Sequence, residues 1–272
     1  MSIRVRAPAS TANVGPGFDA AAIAFDLWNE LEISEANGAA PDFGHLGVRA
    51  FARVTPAEHW AFEFTTRIPR ERGLGSSASV IALGLVAGTV AAGRGPDPEE
   101  LLAVGMKLEG HPDNLAAALV GGVCLTWAGR IARIADDVPA VPIAVVPEET
   151  LATSTARTSL PSSVPHRDAA FTAGRATLLG AALASGSADL LAASLADRIH
   201  EPYRVARAPL LTAVRERLPS GALGVSLSGS GPSVIVWARR EEAEGCAAEL
   251  RERFPETDVM PFGVAAEGAG QV

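Results

Sequence analysis

Lysine is almost missing from this chain: among 23 basic residues only Lys107 is a lysine. That excludes a phosphate loop of the Walker type, which needs a lysine before its final Ser or Thr. Cysteine is as scarce, with Cys124 and Cys246 alone. No disulfide framework is expected, and both read as small core residues in a reduced, cytoplasmic compartment. Anions outnumber cations, for a formal charge of −8. This argues against non-specific nucleic-acid binding, because counterion release needs clustered positive charge. No apolar run reaches the ~20 residues of a membrane span. The longest, Ala78 to Gly93, reads as a buried core helix. The opening Met-Ser-Ile-Arg-Val-Arg lacks the apolar stretch of a secretory leader. His111 has no suitably spaced second His or Cys, which leaves zinc without an argument.

What is present suits a globular α+β chain. The 272 residues are 48% hydrophobic, enough for one large or two modest domains. Strands are expected at Ile3–Ala7, Ala22–Ile33, Trp60–Ile68, Val120–Trp127 and Ile143–Val146. A turn-rich loop is expected over Pro8–Asp19. Asp97 reads as a helix N-cap, with Pro98 at the first helical position and Glu99 and Glu100 in the first turn; that helix stops near Gly110, and Pro112 opens another. Pro139-Ala-Val-Pro142 is the expected division between residues 1–141 and 142–272. Beyond it come a polar loop at 150–166 and helices at 167–184, 187–198 and 207–217. A strand at 223–227, a tight loop, a strand at 233–238, a helix at 241–253 and a strand near 257–264 follow. The order suggests a split βαβ arrangement.

The segment Pro69-Arg70-Glu71-Arg72-Gly73-Leu74-Gly75-Ser76-Ser77-Ala78-Ser79 joins an expected strand to the apolar helix. The first N–H groups of a helix lack internal partners and its dipole favours negative charge, so such a junction can hold a phosphate. Gly73 and Gly75 keep Cβ atoms away from the backbone. Ser76, Ser77 and Ser79 add hydroxyls for phosphate oxygens or magnesium. A structural reading stands beside this one: small residues allow a close turn, and serines cap the helix. Arg70 and Arg72 either touch nucleotide phosphates or are solvated, and the base rate for surface arginine favours solvation.

Three further segments carry polar residues in unusual density. Pro8-Ala-Ser-Thr-Ala-Asn13-Val-Gly-Pro-Gly-Phe-Asp19 follows a strand and is either a turn, with Asn13 and Asp19 bonding the backbone, or part of a site. In Glu109-Gly-His111-Pro-Asp-Asn114, Glu109 can offer magnesium a hard carboxylate and Asn114 can bond a polar substrate; equally, Asp113 or His111 caps a helix. Ser228-Gly229-Ser-Gly-Pro232 is a hairpin turn or a close backbone approach to a ligand. Thr153, Arg157 and Arg204 complete the set, an arginine being able to clamp a carboxylate.

Read together, these motifs resemble the GHMP kinase superfamily. Glu109-Gly-His-Pro-Asp-Asn114, Thr153-x-x-Ala-Arg157-x-x-Leu-Pro161 and Glu201-Pro-Tyr-Arg204 are similar to its homoserine kinase family, over roughly residues 3 to 265. The resemblance implies an N-terminal domain related to a ribosomal-protein S5 fold packed on a ferredoxin-like C-terminal domain. It implies ATP on loop 69–79, magnesium held by Ser77 and Glu109, and phosphorylation of the side-chain hydroxyl of L-homoserine. Asn13, Asp19, His111, Asn114, Thr153, Arg157, Arg204 and Gly229 would surround the amino acid. The arginines suit its carboxylate and Asp19 its ammonium. Of these, Asn13, Asp19 and Arg157 are the candidate catalytic residues; Lys107 is the only lysine, and no general base is assigned. A homodimer is expected. Where the family often carries an asparagine near the adenine, this chain has His45-Leu46-Gly47-Val48-Arg49-Ala50. A kinase for another small hydroxy amino acid or alcohol, and a non-catalytic nucleotide sensor, are the alternatives; an intact Ser77 and Glu109 speak against the sensor.

Overall fold

The computed structural model describes residues 2–36, 38, 40–151 and 158–272. Two sheets organise it. The first holds β1 (Ser2–Asn13), β2 (Gly17–Glu35), β3 (Trp60–Thr65), β4 (Val123–Trp127), β5 (Arg130–Ala135) and β10 (Gly270–Gln271) in the order β10-β1-β2-β4-β5, with β3 also on β2. All its pairings are antiparallel. Ile3 lies opposite Ile33 and Val5 opposite Leu31, so one face of the sheet is apolar. β3 alternates in the same way, turning Phe62 and Phe64 to the core and Glu63 to water.

β1 runs past the expected stop at Ala7. Pro8 cannot donate to a ladder, and the register shifts between Pro8 and Ala9, so the strand continues through a bulge to Asn13. The anticipated loop is therefore mostly strand, and only a tight turn joins β1 to β2.

Four helices cover that face: α1 (Leu46–Phe51), α2 (Ser76–Ala91), α3 (Pro98–Glu109) and α4 (Pro112–Val120). α2 is buried along nearly its whole length, in a core with Phe51, Leu101, Leu102 and Leu115. This is why its sequence is apolar on every side rather than striped. Asp97 caps α3 through bonds from the N–H groups of Glu99 and Glu100.

The second sheet holds β6 (Val141–Pro147), β7 (Ala222–Leu227), β8 (Val234–Ala238) and β9 (Thr257–Pro261) in the order β7-β8-β6-β9, again antiparallel. With α5 (His166–Ser185), α6 (Ala188–Ser194), α7 (Pro209–Glu216) and α8 (Ala243–Arg253), this is a ferredoxin-like arrangement. Ile143 and Val145 face α7 and α8, while Ala144 and Val146 face the opposite way. That opposite face shares a core with Ile23, Phe25 and Val123 of the first sheet and Leu179, Leu183 and Leu191 of α5 and α6. The chain end returns to the first sheet as β10. Among the described residues no helix is long and apolar enough to cross a membrane.

The expected helix over 187–198 stops at Ser194. Asp197 takes the N–H groups of Ile199, His200 and Glu201 with one carboxylate oxygen, and Pro202 has no N–H to give. Two short 3₁₀ turns follow, at Glu201–Tyr203 and Val205–Arg207.

Candidate active site

The glycine-rich segment lies between β3 and α2. β3 ends at Thr65, and α2 begins at Ser76 with Gly75 as N-cap in the left-handed region, φ 69°. The two glycines are required by close approach. A Cβ on Gly73 would stand 2.2 Å from the Ser228 carbonyl oxygen, and one on Gly75 would stand 2.1 Å from Ser10 Oγ. The loop is thus pressed between β1 and the β7–β8 turn. Ser228 Oγ donates to the Gly73 carbonyl (2.7 Å) and lies 2.9 Å from Thr11 Oγ1.

The three serines divide. Ser76 and Ser79, three residues apart, share the buried face of α2. They donate to the carbonyls of Ile68 (3.3 Å) and Ala7 (3.1 Å). Ser77, about a quarter-turn away, is exposed and donates to Glu109 Oε2 at 2.6 Å. Glu109 ends α3. Burial raises its carboxyl above the usual range, and the Ser77 hydroxyl opposes that shift.

Gly110 ends α3 in the left-handed conformation and turns the chain into α4. His111 is the N-cap residue of α4, with no side-chain cap bond. Asp113 is buried and accepts from the Asn114 N–H, and Asn114 Oδ1 accepts from Ser10 Oγ (2.9 Å).

Opposite stands the β1–β2 turn. Asn13 and Asp19 both have positive φ, 71° and 54°. Asn13 Oδ1 accepts from the Asp19 N–H (3.0 Å), and Asn13 Nδ2 donates to the Gly229 carbonyl (2.8 Å). Arg204 reaches that carbonyl too, at 3.2 Å, with its guanidinium over the Phe18 ring.

These pieces line one cleft of about 240 Å³. Of the residues singled out in the sequence, Asn13, Asp19, Pro69, Glu71, Gly73, Leu74, Gly75, Ser76, Ser77, Glu109, His111, Asn114, Arg204 and Gly229 line it. Arg70, Arg72, Ala78 and Ser79 do not. Arg72 is not simply solvated: Nε donates to the Pro147 carbonyl (2.8 Å) and Nη2 to that of Glu148, tying the loop to the end of β6. Thr153 and Arg157 lie outside the described residues. Ala12, Asp113 and Ser230 join the lining without having been marked as site residues; each sits within a flagged motif. His45 caps α1 by accepting from the Gly47 N–H (3.2 Å) and packs on Phe64 with ring centroids 4.0 Å apart. Burial lowers its pKa, and Arg70 adds to the effect. Among the described residues no group of three or more His, Cys, Asp or Glu gathers as a metal cluster.

The fold is that of a small-molecule kinase. The family model described as "GHMP kinases N terminal domain" matches residues 45–122, and "GHMP kinases C terminal" matches 169–256. The crystal structure of homoserine kinase from Cytophaga hutchinsonii superposes with a TM-score of 0.87 at 27% identity, covering 100% of this chain and 97% of that one. Homoserine kinase of Streptomyces coelicolor is 37% identical over 268 residues, 89% of this chain and 86% of that protein. Homoserine kinase of Gloeobacter violaceus is 38% identical over 277 residues, 92% of both. The chain belongs to the homoserine kinase family of the GHMP kinases.

Proposed function

We propose that this protein transfers the γ-phosphoryl group of ATP to the side-chain hydroxyl of L-homoserine, releasing O-phospho-L-homoserine. The observation that carries the reading is the single cleft in which the α2 N-terminus meets Glu109, Asn114, Asn13, Asp19 and Arg204, in a chain of this family.

Backbone N–H groups at the start of α2 and along 69–77 suit the nucleotide phosphates. Ser77 Oγ and Glu109 present adjacent hard oxygens, which fit magnesium, an ion that keeps several waters and uses few protein ligands. Ser77 and Glu109 would hold it, and when bound it neutralises charge on the phosphates. The amino acid occupies the other end: Arg204 toward its carboxylate, Asp19 toward its ammonium, with Asn13, His111, Asn114 and Gly229 around it; the family resemblance adds Arg157 and Thr153, which lie outside the described residues, as further substrate ligands.

Lys107 is exposed on α3 and does not line the cleft, so no lysine stands ready to activate the hydroxyl. The rate then rests on in-line positioning, which can supply ~7–11 kcal/mol, and on charge neutralisation. A homodimer and a cytoplasmic location belong to the same reading.

Phosphorus NMR of the product tests it. With ATP, magnesium and homoserine, a new monoester resonance coupled to the side-chain methylene is expected. Hydrolysis to inorganic phosphate alone would refute transfer.

A further inference from the structure

His200 lies behind the cleft, fully buried, and the cleft does not include it. Its two ring nitrogens face different chemistry. Nδ1 is 3.1 Å from Arg204 Nη1, a group that can only donate. Nε2 is 2.6 Å from the Gly15 carbonyl and 3.7 Å from an Asp197 carboxylate oxygen, both acceptors only. One protonation pattern satisfies all of them: neutral imidazole with its proton on Nε2, donating to Gly15 and accepting from Arg204. An imidazolium would put a proton against the guanidinium, and burial lowers the pKa further in the same direction.

The ring is firmly held. Asp197 accepts from the backbone N–H groups of His200 and Glu201, and Phe18 stacks on the ring at 4.9 Å. Glu201, fully buried, accepts from the Leu227 N–H (2.8 Å) and pairs with Arg215, which pins this turn to β7. Gly15 sits in the middle of the β1–β2 turn, between Asn13 and Asp19, two non-glycine residues held at positive φ. Such conformations persist only where surrounding contacts enforce them.

We propose that His200 is the positioning residue of the amino-acid pocket, one ring fixing the turn that carries Asn13 and Asp19 and the guanidinium of Arg204 at a set spacing. The carboxylate anchor comes from one sheet's side of the cleft and the ammonium anchor from the other, and His200 is the rigid spacer between them. This rests on the reading above, in which Arg204 takes the substrate carboxylate.

Two near-isosteric variants separate the ring's two bonds. His200→Asn keeps an acceptor near the Nδ1 position, and His200→Gln keeps a donor near Nε2. The Michaelis constant for homoserine is expected to rise about tenfold or more in His200→Gln, in line with loss of a bond to a charged group. A smaller rise is expected in His200→Asn, with the ATP constant within about twofold of wild type in both. Equal homoserine constants in the two variants, a larger rise in His200→Asn, or a parallel rise for ATP would overturn the proposal and leave His200 a purely structural residue. Ring ¹⁵N chemical shifts of the wild-type protein give a readout that needs no variant to fold: Nε2–H is expected, and Nδ1–H or imidazolium would overturn the assignment. Arg204→Gln serves as the control. If it leaves the homoserine constant unchanged, the carboxylate role of Arg204 fails, and the premise of the proposal with it.

Discussion

Glu109 stands at the end of α3 where burial disfavours its charge, yet its proposed role as a magnesium ligand needs the carboxylate ionised. The folded chain holds this proton more firmly than the unfolded chain does. The native state therefore loses stability as pH rises through the folded pKa, and the full loss is present above it. Glu109→Gln removes that loss while weakening the proposed cation site. Turnover is expected to fall at least about tenfold. The thermal midpoint of the ligand-free protein above neutral pH should be unchanged or higher, and the difference from wild type should shrink as pH drops toward the carboxylate range. A variant with full turnover at saturating magnesium would remove Glu109 from the site. Gly73 makes the opposite case, a residue defined by what it lacks. Gly73→Ala forces the loop off the Ser228 carbonyl and is expected to cost roughly 1–3 kcal/mol in urea unfolding, by overpacking and backbone strain. At this scale the sequence was legible in residue type and blind in direction. It marked Ser76, Ser77 and Ser79 alike, and only helix geometry decides that Ser77 alone turns toward Glu109.

Among elements, legibility followed the strength of local signals. The capped start of α3 was plain from Asp97-Pro98-Glu99-Glu100, and both cap bonds are present. Asp97→Ala is expected to lower stability by ~1 kcal/mol with turnover unchanged, since the cap is remote from the cleft; urea unfolding beside a rate measurement checks both. α1 spans only six residues, too few for a period to show, and β5 is an edge strand in which only half-buried and exposed positions mix. The longest misreading was at Pro8, where proline suggested a strand end. A bulge absorbs it, and β1 carries on to deliver Asn13 to the cleft. Arg72 is a related case. A base rate for surface arginine gave solvation, but the carbonyls at the end of β6 come from 75 residues further along and no local pattern announces them.

For the whole molecule, the cleft forms because the two sheets share one core, through Phe25, Ile23, Trp237 and Ala144. Burying that face brings the α2 N-terminus, the α3–α4 junction and the β1–β2 turn against Arg204 and Gly229 from the later half of the chain. Each motif had a plausible structural reading when taken singly. Their convergence lies in the tertiary fold, and composition or spacing could not supply it; similarity of the ordered motifs to a known family did. What this converged pocket accepts as substrate decides the function. The most direct measurement is a coupled ADP-release assay of the purified protein with homoserine, threonine, serine, mevalonate and galactose at matched concentrations. The highest kcat/KM is expected with homoserine. A higher value with mevalonate or galactose would contradict it.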